Sequence, residues 1–196
     1  MTLNIIAKAK LPTPWAEFTI KAFQDVSSGE EHIVLSLGEL NKSPLVRIHS
    51  QCLTGDALFS LRCDCGPQLE LALKMIAEES NGLLIYMAQE GRGIGLGNKI
   101  RAYELQDKGL DTIEANEKLG FEADQRDYSL CGEILSFLGI SSVRLMTNNP
   151  MKVEGLELSG IKVDRRISVA VSPTEFNERY LNVKADSMGH LFENEN

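Results

Sequence analysis

The sequence predicts an α/β fold of mixed α+β type. It reads as one domain with a β-rich first half and β–α alternation in the second half. Three observations predict it. Apolar and polar residues alternate with period two in the first fifty positions, as half-buried strands require. Beyond residue 65, apolar residues recur at helical spacing between glycine and proline punctuation. Short apolar runs separate those helical stretches, and such alternation builds a sheet covered by helices. The 196 residues suffice for one well-filled domain, 1–196, with the polar residues 192–196 as a frayed tail. No internal repeat or low-complexity segment interrupts it.

The elements follow in order. Phe18, Ile20 and Ala22 alternate with Thr19 and Lys21, and Ile33, Leu35 and Leu37 with Val34 and Ser36. Leu45 to His49 reads as a strand with Val46 and Ile48 on one face, which puts Arg47 and His49 on the other. Pro67 suits a helix start, and Leu69, Ala72, Leu73 and Ile76 mark its apolar stripe up to Asn81-Gly82. Leu83 to Met87 is a short strand. A glycine-rich loop, Gln89 to Gly97, leads to a helix capped by Asn98, running to about Lys108 and stopped by Gly109. Residues 110–125 read as polar and irregular. A helix is predicted from about Arg126 to Leu138, then a strand at Val143 to Met146. Thr147-Asn148-Asn149-Pro150 turns into another short helix, and two short strands and a final helix complete the chain.

Composition narrows the function. A net charge of -8 and a pI near 5.0 make a poor non-specific nucleic-acid binder, because such binding rests on clustered cations. No apolar run reaches bilayer length, and no basic leader precedes an apolar core, so the expectation is a cytoplasmic protein without membrane contact. In that compartment clustered cysteines point to metal or catalysis rather than disulfides.

Three of the four cysteines fall within fourteen residues as C-x10-C-x-C, at Cys52, Cys63 and Cys65. Cys63 and Cys65, one residue apart, could not bridge each other without strain. Three thiolates suit a zinc ion, and three protein ligands with one open position are the arrangement of a zinc that binds water. A structural site completed by a histidine is the rival, with His49 the nearest candidate. Cys131 sits among apolar residues at helical spacing and reads as a buried small hydrophobe. The glycine-rich loop matches neither G-x-G-x-x-G nor G-x4-G-K-[ST], so it is no Rossmann fingerprint and no P-loop. It could still bring backbone close to a ligand, with Arg92 and Lys99 nearby for phosphate and Glu90 for a base with adjacent donors. Asp124-Gln125-Arg126-Asp127-Tyr128 reads as a helix start with Asp124 as its cap, and Thr147 to Lys152 as a strand end meeting a helix N-terminus, a natural anion site. Thr54-Gly55-Asp56 has no assigned chemistry.

Together these stretches resemble the GTP cyclohydrolase II family, which opens riboflavin biosynthesis. The resemblance rests on Arg47 to Asp56 leading to Arg62-Cys63-Asp64-Cys65-Gly66, on Gln89 to Gly95 and Asn98 to Tyr103, on Glu114-Ala115-Asn116, and on Leu119-Gly120-Phe121 with Asp124 to Tyr128 and Thr147 to Pro150. It runs from about Leu11 to Leu191. Some relatives carry a second, fused synthase domain, for which this length leaves no room.

The resemblance implies hydrolysis of GTP to 2,5-diamino-6-(5-phosphoribosylamino)pyrimidin-4(3H)-one, formate and pyrophosphate by a homodimer. It implies Zn²⁺ on Cys52, Cys63 and Cys65, and Mg²⁺ with the GTP triphosphate. It assigns Arg126 as a nucleophile or charge stabiliser at the α-phosphate, Asp124 as its base, and Tyr103 as an acid or orienting donor near the reacting base. Nucleotide contacts carry over to Arg47, Ile48, His49, Ser50, Gln51, Gln68, Glu90, Gly91, Arg92, Thr112, Thr147 and Lys152. The chain departs from the pattern at Gln51, often Glu in relatives, and at Met151, often Lys; neither is a proposed metal ligand or catalytic group.

Overall fold

The computed structural model describes residues 3–40, 42–122 and 124–177. Its centre is a seven-stranded sheet in the order β1-β2-β3-β5-β4-β6-β7. The strands are β1 (Leu3–Pro12), β2 (Glu17–Asp25), β3 (Glu31–Leu37), β4 (Leu45–Ser50), β5 (Gly82–Met87), β6 (Ser142–Met146) and β7 (Lys162–Ile167). β1, β2, β3 and β5 pair antiparallel, whereas β5, β4, β6 and β7 pair in parallel. The helices are α1 (Leu53–Asp56), α2 (Cys65–Glu79), α3 (Gly95–Asp107), α4 (Thr112–Lys118), α5 (Ser129–Phe137) and α6 (Pro150–Leu158).

Two apolar clusters cover the two faces of the sheet. Val46, Ile48, Leu83 and Ile85 pack with Cys131, Ile134 and Leu135 of α5 and Leu156 of α6. Phe18, Leu45 and Leu84 pack with Ala72, Leu73 and Ile76 of α2 on the other face. The predicted stripe of α2 is therefore its buried side, and Cys131 is fully buried. Each fully buried valine, leucine, isoleucine or phenylalanine among them contributes about 1.5–3 kcal/mol. The connection from β4 to β5 carries α2 over one face, and the one from β5 to β6 carries α5 over the other. Sheets wound this way bind ligands outside the carboxyl ends of their parallel strands.

Local differences from the sequence reading have local causes. Helix α2 begins at Cys65, two residues before Pro67. Proline is tolerated there because the first four helical N–H groups have no intrahelical partner. Residues 110–125 are not wholly irregular: they contain α4, closed by a capping box in which Asp111 accepts from the Glu114 N–H and Glu114 from the Asp111 N–H. Asn98 does not cap α3. It lies in the first turn and its Nδ2 donates to the Ile94 carbonyl at 3.0 Å. Helix α5 begins at Ser129 rather than Arg126, because Asp127 turns back to accept from the Ser129 N–H and hydroxyl. The reading of Asp124 as a cap is thereby corrected. Asn149 does cap α6, accepting from Met151 N at 2.9 Å, with Pro150 at its first position. Of the two last strands β7 is present. The final helix and the tail at 192–196 lie outside the described residues.

Candidate active site

Strands β4, β5 and β6 end side by side, and the chain leaving each carries functional groups. An open cleft lies there, lined by residues that follow all three strands.

The thiol corner follows β4. Cys52, Cys63 and Cys65 place their Sγ atoms within 4.8 Å of one another, with Cys52 and Cys63 at 3.6 Å. All four cysteines are free thiols. A tetrahedral ion with metal–sulfur distances of about 2.3 Å would need sulfurs about 3.8 Å apart, so this donor set fits zinc. The thiols alone cannot all ionise. Hydrogen bonds from Cys63 and Cys65 hold Cys52 well below the ordinary thiol range, and Cys52 in turn pushes Cys63 up. A cation shared by all three removes that conflict.

Thr54-Gly55-Asp56 turns out to be the scaffold of this corner. A Cβ on Gly55 would lie 2.8 Å from Cys63 Sγ and 3.2 Å from Cys52 Sγ. Only hydrogen leaves room for the sulfurs. Asp56 Oδ2 accepts from Cys52 N at 2.9 Å and from the Tyr86 hydroxyl at 2.7 Å, while Oδ1 meets His49 Nε2 at 2.9 Å. His49 also stacks on Tyr86, centroids 5.4 Å apart. So His49 is engaged by Asp56 and does not join the sulfur cluster, which corrects the rival reading of a histidine ligand. Burial holds its pKa below the ordinary value, against the pull of Asp56, and the ring is neutral. Thr54 Oγ1 lies 3.2 Å from the Tyr103 hydroxyl and 3.7 Å from Cys52 Sγ. Nothing in the residue types of this triplet signals these roles, because His49, Cys63, Tyr86 and Tyr103 come from other segments.

The strap between the sulfurs is tied to β4. Arg47 donates to Gln68 Oε1 at 2.6 Å and to the Met146 carbonyl at 3.0 Å, and Gln68 donates to Asp64 Oδ2 at 2.6 Å. Asp64 lies between two of the thiols and is buried. Arg47 and Gln68, expected as nucleotide contacts, line the cleft while also anchoring this strap.

Beyond β5, Glu90, Gly91 and Arg92 form a tight 3-10 turn in which Gly91 and Arg92 both adopt left-handed backbone, φ 63° and 62°. For arginine that conformation costs on the order of 1 kcal/mol, and such strain clusters at functional sites. The turn aims Arg92 into the cleft. Glu90 keeps its carboxylate inside the protein, taking Leu53 N at 2.6 Å, Gly91 N at 2.9 Å and Lys99 Nζ at 2.7 Å. Tyr103, from α3, has the Arg62 guanidinium 4.9 Å above its ring. Burial pushes its pKa up to about 12, so it is a proton donor at neutral pH.

The phosphate corner is assembled from three segments. Asp124 Oδ1 accepts from Arg126 N at 3.1 Å and Nε at 2.8 Å, and Oδ2 from Nη2. Burial raises the Asp124 pKa, but the hydrogen bonds and charge of Arg126 outweigh it and hold the carboxyl below its usual range. The non-helical backbone of 124–128 makes this i, i+2 pairing possible. Arg126 lines the cleft with Thr112, Thr147 and Lys152. Lys152 is buried and donates to the Ile48 carbonyl at 2.8 Å. Ser50 and Gln51 also line the cleft. Ile48 does not: its side chain is fully buried in the core, so a contact from this residue to a nucleotide would run through its backbone. Sequence reasoning passed over Asn116, a buried amide of α4 that lines the cleft. Its signal was the capping box that places α4.

The fold and cleft define an α/β protein whose strand ends present a thiol cluster beside a set of cations and carboxylates. Comparison with known proteins makes this specific. The family model described as GTP cyclohydrolase II matches residues 4–168. A protein named GTP cyclohydrolase-2 from Buchnera aphidicola is 58% identical, covering 97% of this chain and 98% of its own length. Proteins of the same name from Pseudomonas putida and Enterobacter sp. are 57% and 55% identical, covering 100% and 97% of this chain and 96% and 98% of their own lengths. The chain belongs to the GTP cyclohydrolase II family.

Proposed function

We propose that this chain hydrolyses GTP to 2,5-diamino-6-(5-phosphoribosylamino)pyrimidin-4(3H)-one, formate and pyrophosphate, the first step of riboflavin biosynthesis. The observation that carries the reading is the three-thiol cluster and Arg126 facing one cleft. Cys52, Cys63 and Cys65 would hold Zn²⁺. Bound there, zinc supplies Lewis acidity, activating water and polarising a carbonyl, which the poorly electrophilic purine C8 requires. Mg²⁺ enters with the triphosphate and needs no all-protein cage.

The protein's own groups divide the remaining work. Tyr103, protonated and held by Thr54, donates toward the base as its ring opens. Arg92 and Lys152 give the cleft the positive charge that the net charge of -8 conceals. His49 presents a neutral ring and Thr112 and Thr147 present hydroxyls to the nucleotide. Arg126 stands at the α-phosphate with Asp124 orienting it. A carboxylate that binds its proton weakly is a weak base, and a guanidinium yields its proton only to a strong one. The pair therefore favours Arg126 as an oriented cation over Arg126 as a nucleophile. Label from the α-phosphate of GTP that stayed on the denatured protein would reverse that choice.

We infer a homodimer, as the family resemblance implies. The exposed side chains of Leu58, Phe59 and Leu61 are apolar surface that such a contact would cover. No helix among the described residues is long and apolar enough to cross a membrane.

The test is direct. The protein with GTP and Mg²⁺ should release formate and pyrophosphate, and a zinc chelator should stop formate. Pyrophosphate without formate, from zinc-replete protein, would overturn the full reaction and leave an enzyme that keeps the formyl group.

A further inference from the structure

Lys99 lines this cleft, and the proposed reaction leaves it without a task. It lies on α3, and its side chain is only 11% exposed. Its ammonium sits 3.0 Å from Cys52 Sγ and 2.7 Å from Glu90 Oε1. Glu90 cannot swing away freely, because Oε2 takes the N–H of Leu53 and Oε1 also takes its neighbour Gly91 N–H. Leu53 directly follows Cys52. One carboxylate thus binds the backbone beside a sulfur and the cation that donates to that sulfur. A lysine is ordinarily mobile and loses up to about 2 kcal/mol of side-chain entropy when fixed. Here it is pinned at a thiolate rather than extended toward the phosphate corner.

The charges give the arrangement a purpose. Three thiolates on a divalent cation sum to one net negative charge, whereas three neutral imidazoles would leave the ion dipositive. Electron-rich sulfur weakens the metal as a Lewis acid. An N–H donor from a cation draws density off the sulfur that accepts it, and hydrogen bonds to ligating sulfurs tune metal centres. We propose that Lys99, clamped by Glu90, is a positioning residue for the metal centre: it donates to the Cys52 thiolate and sets how much charge that sulfur passes to the ion. This rests on the reading of Cys52, Cys63 and Cys65 as the zinc site. It also gives Glu90 a role distinct from contact with the guanine edge.

The test uses cobalt in place of zinc, because the thiolate-to-cobalt charge-transfer band reports sulfur electron density without turnover. Wild-type protein, Lys99→Met, Lys99→Arg and Glu90→Gln are loaded with Co²⁺ and their near-ultraviolet spectra compared. Lys99→Met should still take one equivalent, with the band moved to longer wavelength. Lys99→Arg should move it least, and Glu90→Gln should move it in the same direction as Lys99→Met. With zinc, formate release by Lys99→Met should fall about tenfold to a hundredfold, while pyrophosphate release and the KM for GTP stay near wild type. A wild-type protein that takes up no cobalt would sink the zinc reading and this proposal with it. Cobalt uptake with an unshifted band in both Lys99→Met and Glu90→Gln would overturn this proposal alone. So would an equal fall in both products with a raised KM, which is the signature of a phosphate contact.

Discussion

The two corners of the cleft are built differently. The thiol corner is braced from every side: Gly55 beneath the sulfurs, Asp56 on the Cys52 N–H, and the Arg47–Gln68–Asp64 chain behind the strap. The Asp124–Arg126 part of the phosphate corner hangs on a non-helical segment. Asp124 and Arg126 pair with each other, and Gln125 N donates to the Arg92 carbonyl at 3.2 Å as a link to the glycine turn. A metal needs ligands fixed to a few tenths of an ångström, so its surroundings are rigid. A triphosphate is long and charged, and a cation on a loop can meet it with less prior order. Damage at the first corner should therefore appear as lost metal, and damage at the second as lost phosphate chemistry with the metal kept.

Four experiments can break or sharpen that contrast. The largest effect is expected from Arg126→Ala, which should stop both products, with a fall of about 10³-fold or more, while zinc content is unchanged. Pyrophosphate release that persists would refute its role at the α-phosphate. Next, Cys63→Ser should lose zinc and formate together. A full equivalent of zinc in that variant, measured by atomic emission, would show that the ligand assignment is wrong.

Gly55→Ala tests the brace rather than a ligand. The added Cβ must displace Cys63 Sγ, so zinc affinity should fall about tenfold to a hundredfold, with a loss of about 1–3 kcal/mol of stability. Gly97→Ala is its control, since a Cβ there meets nothing within 4 Å. It should bind zinc as wild type does and gain a few tenths of a kcal/mol or more. Equal zinc binding by the two variants would mean that the close packing under the sulfurs does not matter.

The smallest effect lies away from the cleft. His32 is buried, with Nδ1 accepting from Ala88 N at 3.1 Å, and burial lowers its pKa. The unfolded chain takes up that proton near pH 6.5, where the native state does not. Stability should therefore fall as pH drops below about 6.5. His32→Gln should lessen the loss between pH 7 and 5.5, read from urea unfolding at the two values. An unchanged pH dependence would show that His32 does not titrate differently on folding.

Legibility in the sequence followed the range of the interactions. The spacing of Cys52, Cys63 and Cys65 was readable because three ligands of one ion lie within fourteen residues. The alternation of β4 placed Arg47 and His49 on one face for the same reason, a period-two rule that acts locally. The capping box at Asp111 and Glu114 was equally local and still went unread, so α4 was taken for loop. Ile48 was grouped with its neighbours as a contact, although the same alternation sends its side chain to the core. Asp124 and Arg126 stood out as a helix start but were given chemistry only through resemblance, since two residues two apart share no face of a helix.

The sequence by itself determined the layered α/β class, the thiol motif and the family, because each rests on local periodicity, spacing or motif order. Only the tertiary structure decided that His49 belongs to Asp56 and not to the sulfurs, that Gly55 and Asp56 hold the metal corner, and that Lys99 reaches Cys52 from a helix 47 residues away. Those contacts join segments from different elements. Their energies depend on burial and distance in space, which no spacing along the chain encodes.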